Sequence, residues 1–487
     1  MKILSFIVAS ELVLALVAVR PAFAGQAPFS SAAPDVPISH RDRVYAAEQY
    51  SNTVSVTDPA SNRLLGVIRL GDFIGTLSPL YRGQLLVHGM GFSPNRRTIA
   101  VVAIGTNSVI FIDTQTNRIK HVTYVGRSPH EAFFTPDGSE VWVTVRGENF
   151  VSVLDGTTYE IKTRVIVPNG PGMQIFSPDG KYGYVCSSFT PETVVVRVAD
   201  HAIVGHVHQA SPFCPNIAAT PDGRQVWFTL KDTGKTEVFD ARPPFAILKT
   251  IDTGPLTNHV NFAHNANGTF AYVTAGGQNE VLVFRTTDFT KVATIRVGRL
   301  PHGIWPSGDG KRVYVGLENA GELTAIDTLT NTVLATIPIG QAAQAVVYVP
   351  DAVPSGAGTQ GLQPLGSAGN ADYLTLVSTS KNASGDDEAP TSVSLFDQGL
   401  VQVLEAAVTG LEPNKLYVLA LSPHADGSGP LEPLSAFTTN PAGSAVVNAV
   451  GPIRQAVRGE EGAQPRFLVI VDGTPSSLGA PVQIQAP

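Results

Sequence analysis

Cysteine is almost missing from this sequence: Cys186 and Cys214 are the only two among 487 residues. Two cysteines are too few for a disulfide-built scaffold or for a cysteine-rich metal site. In an oxidising compartment the two could form one disulfide, and otherwise they would be two buried thiols. The sequence leaves both alternatives open.

Charged residues are also scarce, at 15% of the chain, and the formal net charge is −7 with no run of basic residues. Phosphate binding requires clustered lysine and arginine, so the composition argues against nucleic acid as a partner. The sequence also lacks a Gly-x-Ser-x-Gly elbow, a phosphate-binding glycine loop and a Cys-x-x-Cys-His haem-attachment motif. Its 46 glycines and 36 prolines instead indicate many short strands joined by tight turns.

The N-terminus has the pattern of a secretory signal. Lys2 precedes an apolar stretch at residues 3–19, and Ala22-Phe23-Ala24 fits a cleavage site. The alternative is an uncleaved membrane anchor, which Glu11 within the short apolar stretch opposes. We therefore predict a signal peptide at residues 1–24, and a periplasmic or secreted protein with no membrane span after cleavage.

A repeated turn dominates the rest of the chain, at intervals of roughly 40–45 residues. Its clearest copies are Pro136-Asp137-Gly138, Pro178-Asp179-Gly180 and Pro221-Asp222-Gly223. Four short apolar strands accompany each turn, and one such sheet is too small to bury both of its faces, so the units must stack. Residues 43–71 supply three strands and residues 342–349 a lone innermost strand, which together complete one more blade. We therefore predict an all-β fold with a seven-bladed β-propeller at residues 38–350.

Several motifs resemble the YVTN-type propeller repeat, a family that includes YncE-like exported proteins and archaeal surface-layer proteins. They include Val313-Tyr314-Val315-Gly316, Tyr272-Val273-Thr274 and Asn52-Thr53-Val54-Ser55-Val56. The resemblance covers roughly residues 40–350 and implies the fold more than the function. It also implies kinship in shape to propellers that hold redox cofactors, namely haem d1 of nitrite reductase, the copper cluster of nitrous oxide reductase, and the quinoprotein amine dehydrogenases.

A second domain follows the propeller. Residues 351–371 are rich in Gly, Ser, Ala and Pro and are typical of a linker. Short strand patterns return over residues 372–487, where residues 411–417 are similar to a turn and strand of immunoglobulin-like modules, so we predict a small β-sandwich. This domain has no cysteine and His424 is its only histidine, which excludes a copper site with two cysteines and two histidines.

Histidines recur at one repeat position, the start of the innermost strand, which lies at one mouth of a propeller channel. His88, His130 and His302 occupy this position, Gln344 occupies it in another blade, and either His259 or Val260 does so in a fifth. Such an arc could bind a metal or cofactor, because imidazole suits Cu, Zn, Ni and Fe, or more readily an organic ligand. The alternative is that Pro-His belongs to the repeat and satisfies backbone groups of the neighbouring loop.

Two loop arginines and an insertion could extend this site. Arg127 and Arg299 each stand three residues before a ring histidine, where a guanidinium suits a carboxylate or phosphate group, unless each is a solvated loop charge. The insertion at residues 72–85 could fold over the mouth with Tyr81 and Arg82 as contacts, or it is a plain surface loop.

These observations lead us to interpret the chain as a binding protein rather than an enzyme. The hypothesis is a small anionic ligand or a protein partner held at the histidine-rich mouth, with no cofactor identified by the sequence. The alternative is a cofactor- or metal-dependent redox protein, or a lactonase-like hydrolase, on the same propeller. The fold alone does not decide between these classes.

Overall fold

Seven four-stranded antiparallel sheets, arranged as blades, make up most of the computed structural model of this protein. The structure describes residues 37–71, 85–380, 389–399, 401–459 and 464–487. The predicted signal peptide and nearly all of the insertion at 72–85 lie outside these residues. Within the described ranges no helix has the length and apolarity that a membrane crossing needs.

Six blades are continuous in the chain, and each lists its strands here from the channel outwards. Blade 1 contains β4 (Val87–Phe92), β5 (Thr98–Ala103), β6 (Ser108–Asp113) and β7 (Arg118–Tyr124). Blade 2 contains β8 (Pro129–Phe134), β9 (Glu140–Val145), β10 (Phe150–Asp155) and β11 (Ile161–Ile166). Blade 3 contains β12 (Pro171–Phe176), β13 (Tyr182–Ser187), β14 (Glu192–Arg197) and β15 (Ile203–His208).

The other three continuous blades follow the same plan. Blade 4 contains β16 (Ile217–Ala219), β17 (Gln225–Leu230), β18 (Lys235–Asp240) and β19 (Ile247–Asp252). Blade 5 contains β20 (Thr257–Asn265), β21 (Gly268–Ala275), β22 (Glu280–Arg285) and β23 (Lys291–Arg296), with a short 3-10 helix at Gly276–Gln278. Blade 6 contains β24 (Pro301–Pro306), β25 (Arg312–Leu317), β26 (Glu322–Asp327) and β27 (Thr332–Pro338).

Blade 7 closes the ring from both ends of the propeller. Its innermost strand β28 (Ala343–Val349) pairs with β1 (Arg43–Glu48), and β2 (Thr53–Asp58) and β3 (Arg63–Arg69) follow. The pairing is antiparallel, with Val44 opposite Tyr348. The predicted seven-bladed propeller, closed by a blade with strands from both ends, is confirmed.

Local chemistry explains the turns that separate the strands. In the turn at residues 135–139, Gly138 has a φ of +74°, which glycine adopts without steric cost. The Asp137 carboxylate accepts hydrogen bonds from Thr135 Oγ1 at 2.6 Å and from the Ser139 backbone N–H at 3.0 Å. An aspartate in this position therefore holds the turn closed, which is why the repeat retains it.

Adjacent innermost strands approach each other closely at the hub. A Cβ atom built on Gly91 of blade 1 would lie only 2.4 Å from the Ala132 carbonyl oxygen of blade 2. Only glycine allows this approach. The ring of inner strands is therefore narrow, and side chains at their starts become neighbours.

Cys186 and Cys214 form a disulfide with a Cα–Cα distance of 6.0 Å. Cys186 lies on β13 and Cys214 in the segment that leads to β16, so the bond joins blades 3 and 4. Of the two alternatives that the sequence left open, the structure has the disulfide.

Residues 351–370, which the sequence analysis assigned to a linker, run along the propeller. The Asn117 side-chain N–H donates to the carbonyl oxygens of Gly358 and Gln360, at 3.0 and 2.9 Å. The Gln363 N–H donates to the Val67 carbonyl oxygen on β3 at 2.9 Å. A short 3-10 helix at Gly366–Gly369 ends the segment. Backbone hydrogen bonding thus fixes this segment against blades 1 and 7.

The C-terminal domain is a single curled sheet rather than the predicted sandwich of two sheets. Its eight strands lie in the order β33-β32-β35-β36-β29-β30-β31-β34, and the edge strands β33 and β34 come close to each other. Its elements are β29 (Ala371–Ser378), β30 (Thr391–Asp397), β31 (Gln402–Val408), β32 (Leu416–Ser422), β33 (Glu432–Thr438), β34 (Ala445–Gly451), α1 (Ile453–Arg458), β35 (Phe467–Thr474) and β36 (Ser477–Gln485). The difference arises because β36 pairs with both β29 and β35 and so joins two groups of strands that a sandwich would keep apart. The immunoglobulin-like resemblance did not predict this pairing.

Candidate functional site

Four histidines meet at one mouth of the propeller channel. The ring centroids of His88 and His130 are 4.3 Å apart, those of His259 and His302 are 4.5 Å apart, and those of His88 and His302 are 6.2 Å apart. All four residues are buried, at 8% exposure or less. The structure therefore brings together the histidines at the start of β4, β8, β20 and β24, and His259 is the member from blade 5.

The four imidazoles differ in their hydrogen bonds. His302 Nδ1 lies 2.7 Å from the Gln344 carbonyl oxygen of the next blade, as the structural interpretation of the repeated histidine predicted. By contrast, His88 Nδ1, His130 Nδ1 and His259 Nε2 are buried and have no hydrogen-bond partner among the described residues. Burial lowers the pKa of all four rings, to about 3 for His302, so they are neutral at neutral pH.

Glu131 joins this cluster although the sequence analysis did not select it. One ligand atom each from His88, His130 and Glu131 lies within 4.8 Å of the others. Burial raises the pKa of Glu131 to about 8, and the Met90 backbone N–H donates to its Oε1 at 2.7 Å. Strand alternation predicts that residues 130 and 131 point to opposite faces, but a register shift between Pro129 and Glu131 breaks the alternation.

The predicted arginines have other partners. The exposed Arg127 donates from Nε to Glu148 Oε1 at 2.8 Å, within an ion pair on the loop. Arg299 donates to the Leu374 carbonyl oxygen at 3.0 Å and its guanidinium lies over the Tyr373 ring, so it contacts the C-terminal domain. The remaining two predicted contacts, Tyr81 and Arg82, lie outside the described residues.

Two other cations, Arg146 and Lys231, stand beside the histidines instead. Their positive charges contribute to the lowered pKa of His88, and Lys231 also lowers the pKa of His259 and His302. The Arg146 guanidinium lies between the rings of Phe189 and Phe213, at 5.5 and 5.1 Å from their centroids, and burial lowers its pKa to about 10. Among the described residues neither cation has a carboxylate within 4.0 Å.

These cations share a repeat position that could have been found from the sequence. Each directly follows the second strand of its blade, in the stretches VWVTVR (141–146) and VWFTLK (226–231). Glu318 occupies the same position in VYVGLE (313–318). Aligning the ends of the second strands, rather than only the starts of the first, thus identifies a second ring of charged side chains at the mouth.

A buried pair of carboxyl groups connects the mouth to the C-terminal domain. Glu318 Oε1 accepts a hydrogen bond from Gln344 Nε2 at 2.7 Å, and its Oε2 lies 3.9 Å from His302 Nε2. Glu405, on β31, accepts a hydrogen bond from Tyr50 Oη at 2.7 Å and shares another with Glu318. Burial raises the pKa of both groups, to about 8 for Glu405, and the shared hydrogen bond requires one proton.

The C-terminal sheet therefore lies over part of the mouth. Besides the carboxyl pair, Ser394 Oγ donates to the Asn319 carbonyl oxygen at 2.8 Å, and the Ala442 N–H donates to the Asp232 carbonyl oxygen at 3.2 Å. Both propeller residues follow second strands of their blades. The mouth is thus an enclosed space between two domains on the side of blades 4 to 7.

Below the histidines an axial cavity of about 340 Å³ continues into the channel. Glu131, His259, Asn216 and Asn261 contribute polar groups to its lining. Further down, Phe92 and Phe133 pack against Trp305, with ring centroids 6.1 and 6.3 Å from it. These rings fill the channel, so the polar chemistry is confined to the histidine end.

Comparisons with known proteins give the fold and no family. No family model and no curated protein matches the chain. Among solved structures, a functionally unknown protein from Desulfotomaculum acetoxidans is 14% identical with a TM-score of 0.54, over 63% of this chain and 99% of that one. Hydrazine synthase of Kuenenia stuttgartiensis is 20% identical with a TM-score of 0.49, over 54% of this chain and 89% of that one. At such identities the likeness concerns the fold alone.

Proposed function

We propose that this protein is an exported YVTN-type propeller that binds a small anionic ligand at the histidine-rich mouth. The observation that carries the proposal is Arg146, a partly buried guanidinium with an unpartnered Nε and no carboxylate near it among the described residues. Aromatic rings cover its faces and leave its N–H edge for a ligand. A carboxylate or phosphate oxygen is the acceptor that this edge binds best.

The second cation strengthens this argument. The positive charge of Arg146 helps to lower the pKa of Lys231, so two like charges stand close together. Holding like charges together in a partly buried place costs free energy unless an anion offsets it. The neutral imidazoles beside them could add N–H donors. Arg146 and Lys231 thus take the role that the sequence analysis gave to Arg127 and Arg299.

The test is calorimetric titration of the mature protein with inorganic phosphate and with succinate, at neutral pH and low salt. Arg146→Gln should weaken binding about tenfold to a hundredfold, the usual value of a charge-assisted hydrogen bond. Arg127→Gln, a matched control on the neighbouring loop, should leave the affinity unchanged because Glu148 already pairs with that arginine. Equal weakening in both variants, or no binding of either anion to the wild type, would contradict the proposal.

Export and family rest on different support. The N-terminal pattern, the disulfide between Cys186 and Cys214 and the YVTN-like motifs all agree with an exported propeller. Expression of the full chain in a bacterial host followed by N-terminal sequencing of the periplasmic fraction should show cleavage after Ala24. Recovery of intact chain from the membrane fraction would favour the uncleaved anchor instead.

A metal- or cofactor-dependent protein is the second candidate function. The grouping of His88 and His130 with Glu131 favours it, because these are metal-ligand residue types. No observation favours the lactonase-like alternative or a protein partner over a small anion.

A further inference from the structure

We infer that His88, His130 and Glu131 form a binding site for one divalent transition-metal ion such as Zn²⁺. The inference goes beyond the anion-binding function and stands independently of it, since neither Arg146 nor Lys231 is among the ligands. Two imidazoles and one carboxylate are a donor set that catalytic zinc sites use. Three protein ligands leave one coordination position for water or another small ligand.

The geometry brings the three ligand atoms within 4.8 Å of one another. Zinc ligands at about 2.0–2.2 Å from the metal lie roughly 3.4 Å apart in a tetrahedral site. The cluster would need to contract by roughly an ångström, which rotation of the side chains about their χ angles can supply. The close approach of blades 1 and 2 already sets the two imidazoles side by side, at 4.3 Å between centroids.

The hydrogen bonds around the cluster favour coordination over a purely structural role. Nδ1 of both His88 and His130 is buried and unpartnered among the described residues, whereas a structural histidine would use these atoms. The backbone of Gly172 accepts a hydrogen bond from the His130 ring, which fixes the ring and leaves Nδ1 available. The Met90 N–H likewise holds Oε1 of Glu131 in place.

The surrounding charges decide how well a cation is accepted. Arg146 and Lys231 oppose a cation at His88, whereas an ionised Glu131 compensates at contact distance. His302 is not a ligand because its Nδ1 contacts the Gln344 carbonyl oxygen. A cation at this place thus depends on Glu131, so removing its charge should abolish binding without removing any imidazole.

The experiment uses the full mature chain, dialysed against a chelator and titrated with Zn²⁺ by calorimetry and with Co²⁺ by visible absorption. The wild type should bind one equivalent of Zn²⁺, and Co²⁺ should show the d–d bands of a four-coordinate site with nitrogen and oxygen ligands. His130→Ala and Glu131→Gln should each weaken Zn²⁺ binding about a hundredfold or more and remove the bands. Glu131→Gln is nearly isosteric, so it tests the site even where His130→Ala disturbs folding.

Two further variants make the result specific. His206→Ala removes an exposed histidine that pairs with Glu192 and should leave Zn²⁺ binding unchanged. Arg146→Gln should leave it unchanged or tighter, which separates this inference from the anion-binding proposal. Failure of the wild type to bind stoichiometric Zn²⁺, or equal affinity in wild type and Glu131→Gln, would overturn the metal site.

Discussion

Replacement of Glu405 by glutamine tests the most unusual contact of this protein, the carboxyl pair between the two domains. The amide of Glu405→Gln can accept from Tyr50 Oη and Asn448 Nδ2 and donate to Glu318, as a protonated Glu405 does. The variant therefore keeps the hydrogen bonds of the acid form and removes only its titration. At low pH it should be as stable as the wild type.

The pKa of Glu405 gives the size of the effect. Burial raises it from an ordinary value of 4.5 to about 8, so the folded state retains a proton that the unfolded chain has released. The stability from this proton is fully present below pH 4.5 and is lost as the pH rises through 8. The full interval corresponds to about 5 kcal/mol, an upper limit because Glu318 shares the proton and Lys231 stabilises the ionised pair.

The assay is urea unfolding between pH 5 and pH 9, followed by the fluorescence of Trp142, Trp227 and Trp305, which all lie in the propeller. Wild-type stability should fall with rising pH by up to about 5 kcal/mol relative to Glu405→Gln, with a midpoint near pH 8. Glu412→Gln, at an exposed carboxylate, should follow the wild type. Parallel profiles for wild type and Glu405→Gln would refute the reasoning.

Two further predictions concern the propeller itself. Gly91→Ala should destabilise the fold by about 1–3 kcal/mol in urea unfolding, since the new Cβ meets the Ala132 carbonyl oxygen, whereas Gly451→Ala meets only ordinary contacts and should be neutral. Reduction of the disulfide, which spans 28 residues, should cost about 3–4 kcal/mol, and a Cys186→Ser/Cys214→Ser double variant should be insensitive to reductant.

The sequence predicted the propeller because its information is local and repeated. Each Pro-Asp-Gly turn closes through hydrogen bonds to its own aspartate, as Asp137 shows, so the turn can be read without knowing the rest of the fold. The unpaired strands at the two chain ends then required a shared blade. Ring closure also made His88 and His302 neighbours, a consequence of the seven-blade count alone.

The sequence analysis missed those features that depend on contacts between distant segments. The single curled sheet depends on β36 pairing with two strands, and nothing in its own residues selects both partners. The cover over the mouth depends on Glu405, which meets Glu318 only when the domains dock. Arg146 and Lys231 were missed for a different reason, since their shared repeat position was present in the sequence but was not compared.

The carboxyl pair also bears on the proposed ligand. While Glu318 and Glu405 share a proton they carry one negative charge together, so the cations Arg146 and Lys231 leave an excess positive charge at the mouth. Loss of that proton removes the excess. The groups that face Glu405 are Glu318, Lys231, Tyr50 and Asn448, and among them only Lys231 offsets the second negative charge. Affinity for a small anion should therefore fall as the pH rises through 8, and Glu405→Gln should make it independent of pH over this range.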